Sequence, residues 1–204
     1  MRIIQEEEFF TLFNTKAMTF NQWLDTFINS EQRERTEQHF ENSKLYLDSI
    51  QAKLKELDYK QYILAVVADW CGDCHRGVPI LELICQSSDF LECKFVTKED
   101  YQDLILPVCG SEKIPYVMFY TQDGFLSSNW SERSYNLYKI TTESYKEFNY
   151  EKDEAFFSAY RKKLEDHKVL TYQSIADELI HEILKVNAIQ GASPRINKTV
   201  TASN

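Results

Sequence analysis

The stretch Tyr62-Ile63-Leu64-Ala65-Val66-Val67-Ala68, running directly into Asp69-Trp70-Cys71-Gly72-Asp73-Cys74, decides the fold. Its first half is a short, unbroken apolar run rich in β-branched residues, the pattern of a strand buried on both faces. After Cys74, the apolar residues Val78, Ile80, Leu81, Leu83 and Ile84 supply the buried side of a helix. Two cysteines separated by two residues therefore stand at a strand-to-helix junction. There the unpaired N–H groups and dipole of the helix N-terminus favour a thiolate on the first cysteine. The second, one turn further in, is placed to resolve a mixed disulfide. Cys71 reads as the exposed nucleophile and Cys74 as the sheltered resolving thiol.

Outward from this junction, Cys93–Thr97 reads as a second strand and Tyr116–Tyr120 as a third. Gln122-Asp123-Gly124 then offers a hairpin turn, since Asp-Gly readily takes positive φ angles. The returning strand is either Phe125–Trp130 or Tyr135–Ile140, and the pattern leaves both open. Upstream, Phe20, Trp23, Leu24, Phe27 and Ile28 recur at helical spacing, as do Leu47, Ile50, Leu54 and Leu57. Ser30–Glu41, between them, fits a solvated helix or a connection. Downstream, Phe157, Tyr160 and Leu164 share one helical face, and Ile175, Leu179 and Ile183 another. The expected class is α/β, a central β-sheet flanked by helices. Its expected parts are a helical N-terminal extension (1–60), a core (61–150), C-terminal helices packing on that core (151–187) and a flexible tail (188–204).

The chain has 204 residues, with 23 Lys plus Arg against 32 Asp plus Glu and a formal net charge of −9. A negative field of that size disfavours nucleic acid or an anionic membrane as partner. The N-terminus places Glu6, Glu7 and Glu8 where a signal peptide carries its apolar region, and no stretch reads as a membrane span. Five cysteines in such a chain read as thiols rather than a disulfide framework, and the expected location is cytoplasmic.

The loop Trp70-Cys71-Gly72-Asp73-Cys74 resembles the active-site loop of the thioredoxin superfamily, with Asp73 where thioredoxin itself has proline. Pro79, eight residues after Cys71, falls where the family kinks its active-site helix, and Pro115, 44 after Cys71, where it has a cis-proline. The wording of the loop and of Val78-Pro79-Ile80 is closer still to a bacterial branch of thioredoxin-like proteins with a helical N-terminal extension. The resemblance is firm over residues 62–130. It implies a thioredoxin-like fold and a redox-active disulfide at Cys71 and Cys74, working as a thiol–disulfide oxidoreductase in cell redox homeostasis. Protein disulfides would be its substrates, with a reductase to regenerate it, and neither cofactor nor metal is implied. Trp70, Ile114 and Pro115 would contact the substrate, with the Ile114 backbone free to pair with it.

Two departures modify this picture. The family buries an aspartate six residues before the first cysteine, and here that position is Ala65. Asp73 places a negative charge in the loop, opposing the Cys71 thiolate, and His75 would counter it when protonated. The balance expected is a reductant rather than a strong oxidant.

Competing readings are blander or of another class. Cys71-x-x-Cys74-His75 also matches haem attachment, which normally accompanies export. Zinc needs four convergent ligands, and no second Cys-x-x-Cys supplies them. Cys85 and Cys93 read as small core residues, whereas Cys109 fits either packing or an auxiliary redox role. His39, His167 and His181 read as surface residues, and Trp23 and Trp130 as packing. The helical additions support an alternative function, a thioredoxin-like adaptor or redox-sensing binding protein with little turnover, and they offer a surface for homodimerisation.

Overall fold

The computed structural model describes residues 1–201. Helix α1 (Glu6–Thr15) leads to the single-turn α2 (Phe20–Leu24), α3 (Ser30–Ser43) and, after a 3-10 turn, α4 (Leu47–Leu54). Strand β1 (Gln61–Val67) enters α5 (Gly72–Gln86), which returns through β2 (Leu91–Thr97). A short α6 (Lys98–Tyr101) and the two-residue strands β3 (Pro107–Val108) and β4 (Ser111–Glu112) precede the hairpin of β5 (Tyr116–Thr121) and β6 (Leu126–Ser131). The chain ends in α7 (Tyr135–Glu147), α8 (Glu154–Asp166), α9 (Lys168–Ala192) and α10 (Pro194–Thr201).

The central sheet has four strands in the order β2-β1-β5-β6. β1 runs parallel to β2, joined by the α5 crossover, and antiparallel to β5. The hairpin ambiguity resolves to Leu126–Ser131, because Gly124 at φ +82 closes a tight turn and starts the return strand at once. The Gly124 carbonyl also accepts the Glu6 N–H at 2.9 Å, and a Cβ on Gly124 would lie 3.1 Å from the Glu6 backbone. This close approach docks the start of α1 on the hairpin and demands glycine there. Tyr135–Ile140, the other candidate, forms the first turns of α7.

Alternation along the strands sorts the two sheet faces. Tyr62 meets the rings of Phe9, Phe10 and Phe13 from α1, and Phe9 stacks on Tyr120 at 3.9 Å. The opposite face begins at Gln61, whose side-chain amide donates to the Ile183 carbonyl of α9 at 3.0 Å. Ile63, Ala65 and Val67 follow Gln61 on that face, under α5 and α9. Ile175, Leu179 and Ile183 all lie buried on α9, and each such aliphatic contributes roughly 2 kcal/mol of transfer free energy.

Several expectations change. Ile28 does not join the helical apolar stripe, since α2 ends at Leu24 and Ile28 is 97% exposed. On α8 it is Phe156, not Phe157, that is buried; it stacks on Tyr145 of α7 at 5.2 Å. Within the segment read as a tail, α9 continues to Ala192 and α10 spans Pro194–Thr201. Gln190 is buried there, accepting the Gln122 N–H at 2.8 Å and donating to the Lys60 carbonyl at 3.3 Å. These long-range bonds anchor a segment whose polar composition suggests fraying. The last three positions of that expected tail, 202–204, lie outside the described residues. His39 also departs from its surface assignment. It packs against α9, where the Tyr172 hydroxyl bonds its Nδ1.

Candidate active site

Cys71 is the N-cap of α5, with extended backbone (φ −88, ψ 112), and its sulfur accepts the Cys74 N–H at 3.3 Å. The thiol side chain therefore takes the position in which a capping oxygen normally satisfies the first orphan donors of a helix. Both thiols are free, and they differ sharply in environment. Cys71 keeps 8% of its surface accessible and Cys74 none. Cys71 is thus more covered than its reading as an exposed thiol implies. Its pKa is nonetheless held below the ordinary thiol value, first by the Cys74 thiol hydrogen bond and then by the Cys74 N–H, against burial and the charge of Asp73. Burial, with the neighbouring Cys71 sulfur, pushes Cys74 well above it. This division favours a thiolate on Cys71 and keeps the proton on Cys74.

The loop before β5 arrives directly opposite. The Ile114 carbonyl lies 3.5 Å from Cys71 Sγ and accepts its S–H, and the Ile114–Pro115 peptide bond is cis. The Ile114 N–H has no hydrogen-bond partner among the described residues. A Cβ built on Gly77 of α5 would stand 3.5 Å from Pro115 and 3.7 Å from the Trp130 ring, ordinary contact distances, so this turn of the helix packs directly beside both. Trp130 is fixed in turn by its indole N–H, which donates to Glu178 of α9 at 2.8 Å. Trp70 projects outward, 56% exposed, tethered through Nε1 to Glu99 at 3.0 Å. The structure thus gathers Cys71, Cys74, Ile114 and Pro115 around one sulfur, with Trp70 at the rim. Cys109 is exposed, and no bond links it to the dithiol among the described residues.

Asp73 and His75 do not balance each other. The Asp73 carboxylate is gripped by Arg133, from Nη2 at 2.7 Å and Nε at 2.9 Å, and approached by Arg76 at 3.4 Å. This forked pair neutralises much of the charge that the sequence suggests would oppose the thiolate. Burial works against the Arg133 charge, and Asp73 more than restores it, leaving the guanidinium raised. Arg133 is itself positioned by Glu132, which sits at φ 62, donates its N–H to the Pro115 carbonyl at 2.8 Å, and accepts from Lys113 at 3.1 Å and Tyr138 at 2.5 Å. His75 instead turns inward, its Nε2 on the Asp69 carbonyl and its ring 5.4 Å from Phe27. Burial lowers its pKa, so it is neutral at pH 7 and supplies no countercharge. Among the described residues, no group of three or more His, Cys, Asp or Glu side chains is arranged to hold a metal ion.

Arg133 was not among the expected site residues. Arg76 was readable, since Asp73 and Arg76 stand three apart on one helix face. Arg133 was not, because only the folding of β6 against Pro115 brings it to the loop.

A family model described as Thioredoxin matches residues 17–146, well over half of the chain. The chain belongs to the thioredoxin family. Among solved structures, a Pseudomonas aeruginosa protein of unknown function superposes with a TM-score of 0.61 at 16% identity, over 94% of this chain and 100% of the other. An HIV epitope scaffold superposes with a TM-score of 0.60 at 14% identity, over 90% of this chain and 98% of the other. At such identities these likenesses show the fold. Comparison with curated protein sequences returned no match. The family's α/β arrangement is present here as the four-stranded sheet flanked by helices. No helix among the described residues is long and apolar enough to cross a membrane.

Proposed function

We propose that this thioredoxin-family chain is a thiol–disulfide oxidoreductase working as a reductant of protein disulfides. The observation that carries the reading is the division of labour within the dithiol. Cys71 has a lowered pKa at the helix N-cap, and Cys74 is buried and protonated one turn away. The Cys71 thiolate attacks one sulfur of a target disulfide, forming a mixed disulfide and releasing a target thiolate. Cys74 then loses its proton and attacks Cys71 Sγ, closing the Cys71–Cys74 disulfide and releasing the second target thiol. Two electrons pass to the target, and a separate reductase returns the chain to its dithiol form.

The unpaired Ile114 N–H supports a substrate strand docking beside Pro115, and Trp70 offers an exposed apolar contact at the rim. Burial of Cys71 and the residual charge of Asp73 both limit the stabilisation of its thiolate, which supports the reducing direction. A reducing compartment such as the cytoplasm suits this chemistry and the free thiols.

The test is trapping. Cys74→Ser is expected to accumulate mixed disulfides with protein substrates on non-reducing gels, and Cys71→Ser is not. Equal trapping by both variants overturns the assignment of the nucleophile. Failure of the native chain to catalyse insulin reduction by dithiothreitol would instead favour the adaptor reading.

A further inference from the structure

Beside the dithiol helix, a cavity of about 290 Å³ opens between α3, α5, α8 and α9. In a chain of net charge −9, its walls carry four cationic side chains, Arg35, Arg76, Arg161 and Lys168, against one acid, Glu165. Of the four, Lys168 alone pairs with the acid of the wall itself, among the described residues. Arg161 has no ion-pair partner among the described residues. Arg35 pairs at 2.9 Å with Glu31, which lies outside the cavity wall, and Lys168 shares Glu165 at 3.2 Å.

Thr171, buried, and His39, half-buried, belong to the same wall. The Thr171 hydroxyl is shut off from solvent in a residue only 2% exposed, with no hydrogen-bond partner. An unsatisfied buried hydroxyl costs roughly 1–3 kcal/mol, a local cost of packing α9 here. His39 lines the cavity too, and its pKa is pushed down to about 3, first by burial and then by the charges of Arg76, Lys168 and Arg35.

We propose that this cavity binds a small molecule bearing a phosphate-type oxyanion. Guanidinium forks suit multivalent oxyanions, and the space equals the volume of about ten waters, enough for a small metabolite. A nucleic acid or acidic protein would be repelled by the surrounding negative surface. Arg76 belongs to both places, lining the cavity while pairing with Asp73 of the dithiol loop at 3.4 Å. The proposal does not depend on the redox reading, and its test reads binding alone.

The probe is inorganic pyrophosphate, titrated calorimetrically into the full reduced chain at ~150 mM salt, where exposed charges are screened within about 8 Å. Saturable one-site binding is expected. Arg161→Gln should weaken it at least tenfold. Lys139→Gln, an exposed change on α7, should bind as the native chain does. No saturable heat, native affinity in Arg161→Gln, or equal weakening in Lys139→Gln overturns the proposal.

Discussion

The two ends of α5 each hold a cysteine pair, and the pairs behave oppositely. At the N-terminus, Cys71 caps the helix and accepts the Cys74 N–H, which favours its thiolate. Near the C-terminus, Cys85 neighbours Cys93 of β2 and helps to raise its pKa. There Cys93 donates to Glu82 Oε2 at 3.1 Å, and the Cys85 thiol, burial and the Glu82 charge push its pKa well up. Proximity of two thiols therefore does not fix which way a thiol shifts. The Cys74 thiol and then its N–H lower Cys71, whereas a carboxylate beside Cys93 helps to raise it.

The comparison breaks most decisively at the nucleophile. Cys71→Ser should lower insulin-reduction rates by about 10³-fold or more, because no other thiol can start the exchange. Cys93→Ser should change them less than about twofold. An equal loss in both would erase the distinction between the two ends.

Alkaline unfolding sharpens it next. Cys93 keeps its proton in the folded state above the pH at which the unfolded chain releases it. Stability from this thiol is therefore fully present below about pH 9 and falls as pH rises beyond it, by about 1.4 kcal/mol per pH unit. Cys74 contributes with the same sign, whereas Cys71, with its lowered pKa, acts the other way. Urea midpoints between pH 8.5 and 10.5 should show a shallower decline in Cys93→Ala than in the native chain.

The smallest expected effect lies in the charge beside the reactive pair. Arg133→Gln leaves Asp73 with Arg76 alone, so the Cys71 pKa should rise and its alkylation by iodoacetamide at pH 7 slow about threefold. Asp73→Asn should move both in the opposite direction. Mass spectrometry of the labelled Cys71 peptide reads either change.

The legible parts of the molecule were the local ones. The apolar run from Tyr62 announced a strand, and two cysteines one turn apart announced a helix-capping pair. Strand and helix periodicities are set by residues two to four apart. The flanking helices were legible in outline. Their facing was not, as Phe156 rather than Phe157 shows, because one residue of rotation moves a side chain about 100° around the helix. The polar tail misled for a related reason. Its composition suggested fraying, and only long-range bonds from Gln190 to Lys60 and Gln122 reveal that it is tied down.

The sequence by itself determined that this chain is an α/β protein with a dithiol at a strand-to-helix junction, since those features depend on near neighbours and their order. Tertiary structure alone decided the electrostatics around that dithiol. It brought Arg133 across 60 residues to Asp73 and turned His75 inward to the Asp69 carbonyl. It also closed α3, α8 and α9 around a cationic chamber. Side chains far apart in the chain meet only through the packing of whole elements, and charge interactions depend on the distances that packing sets.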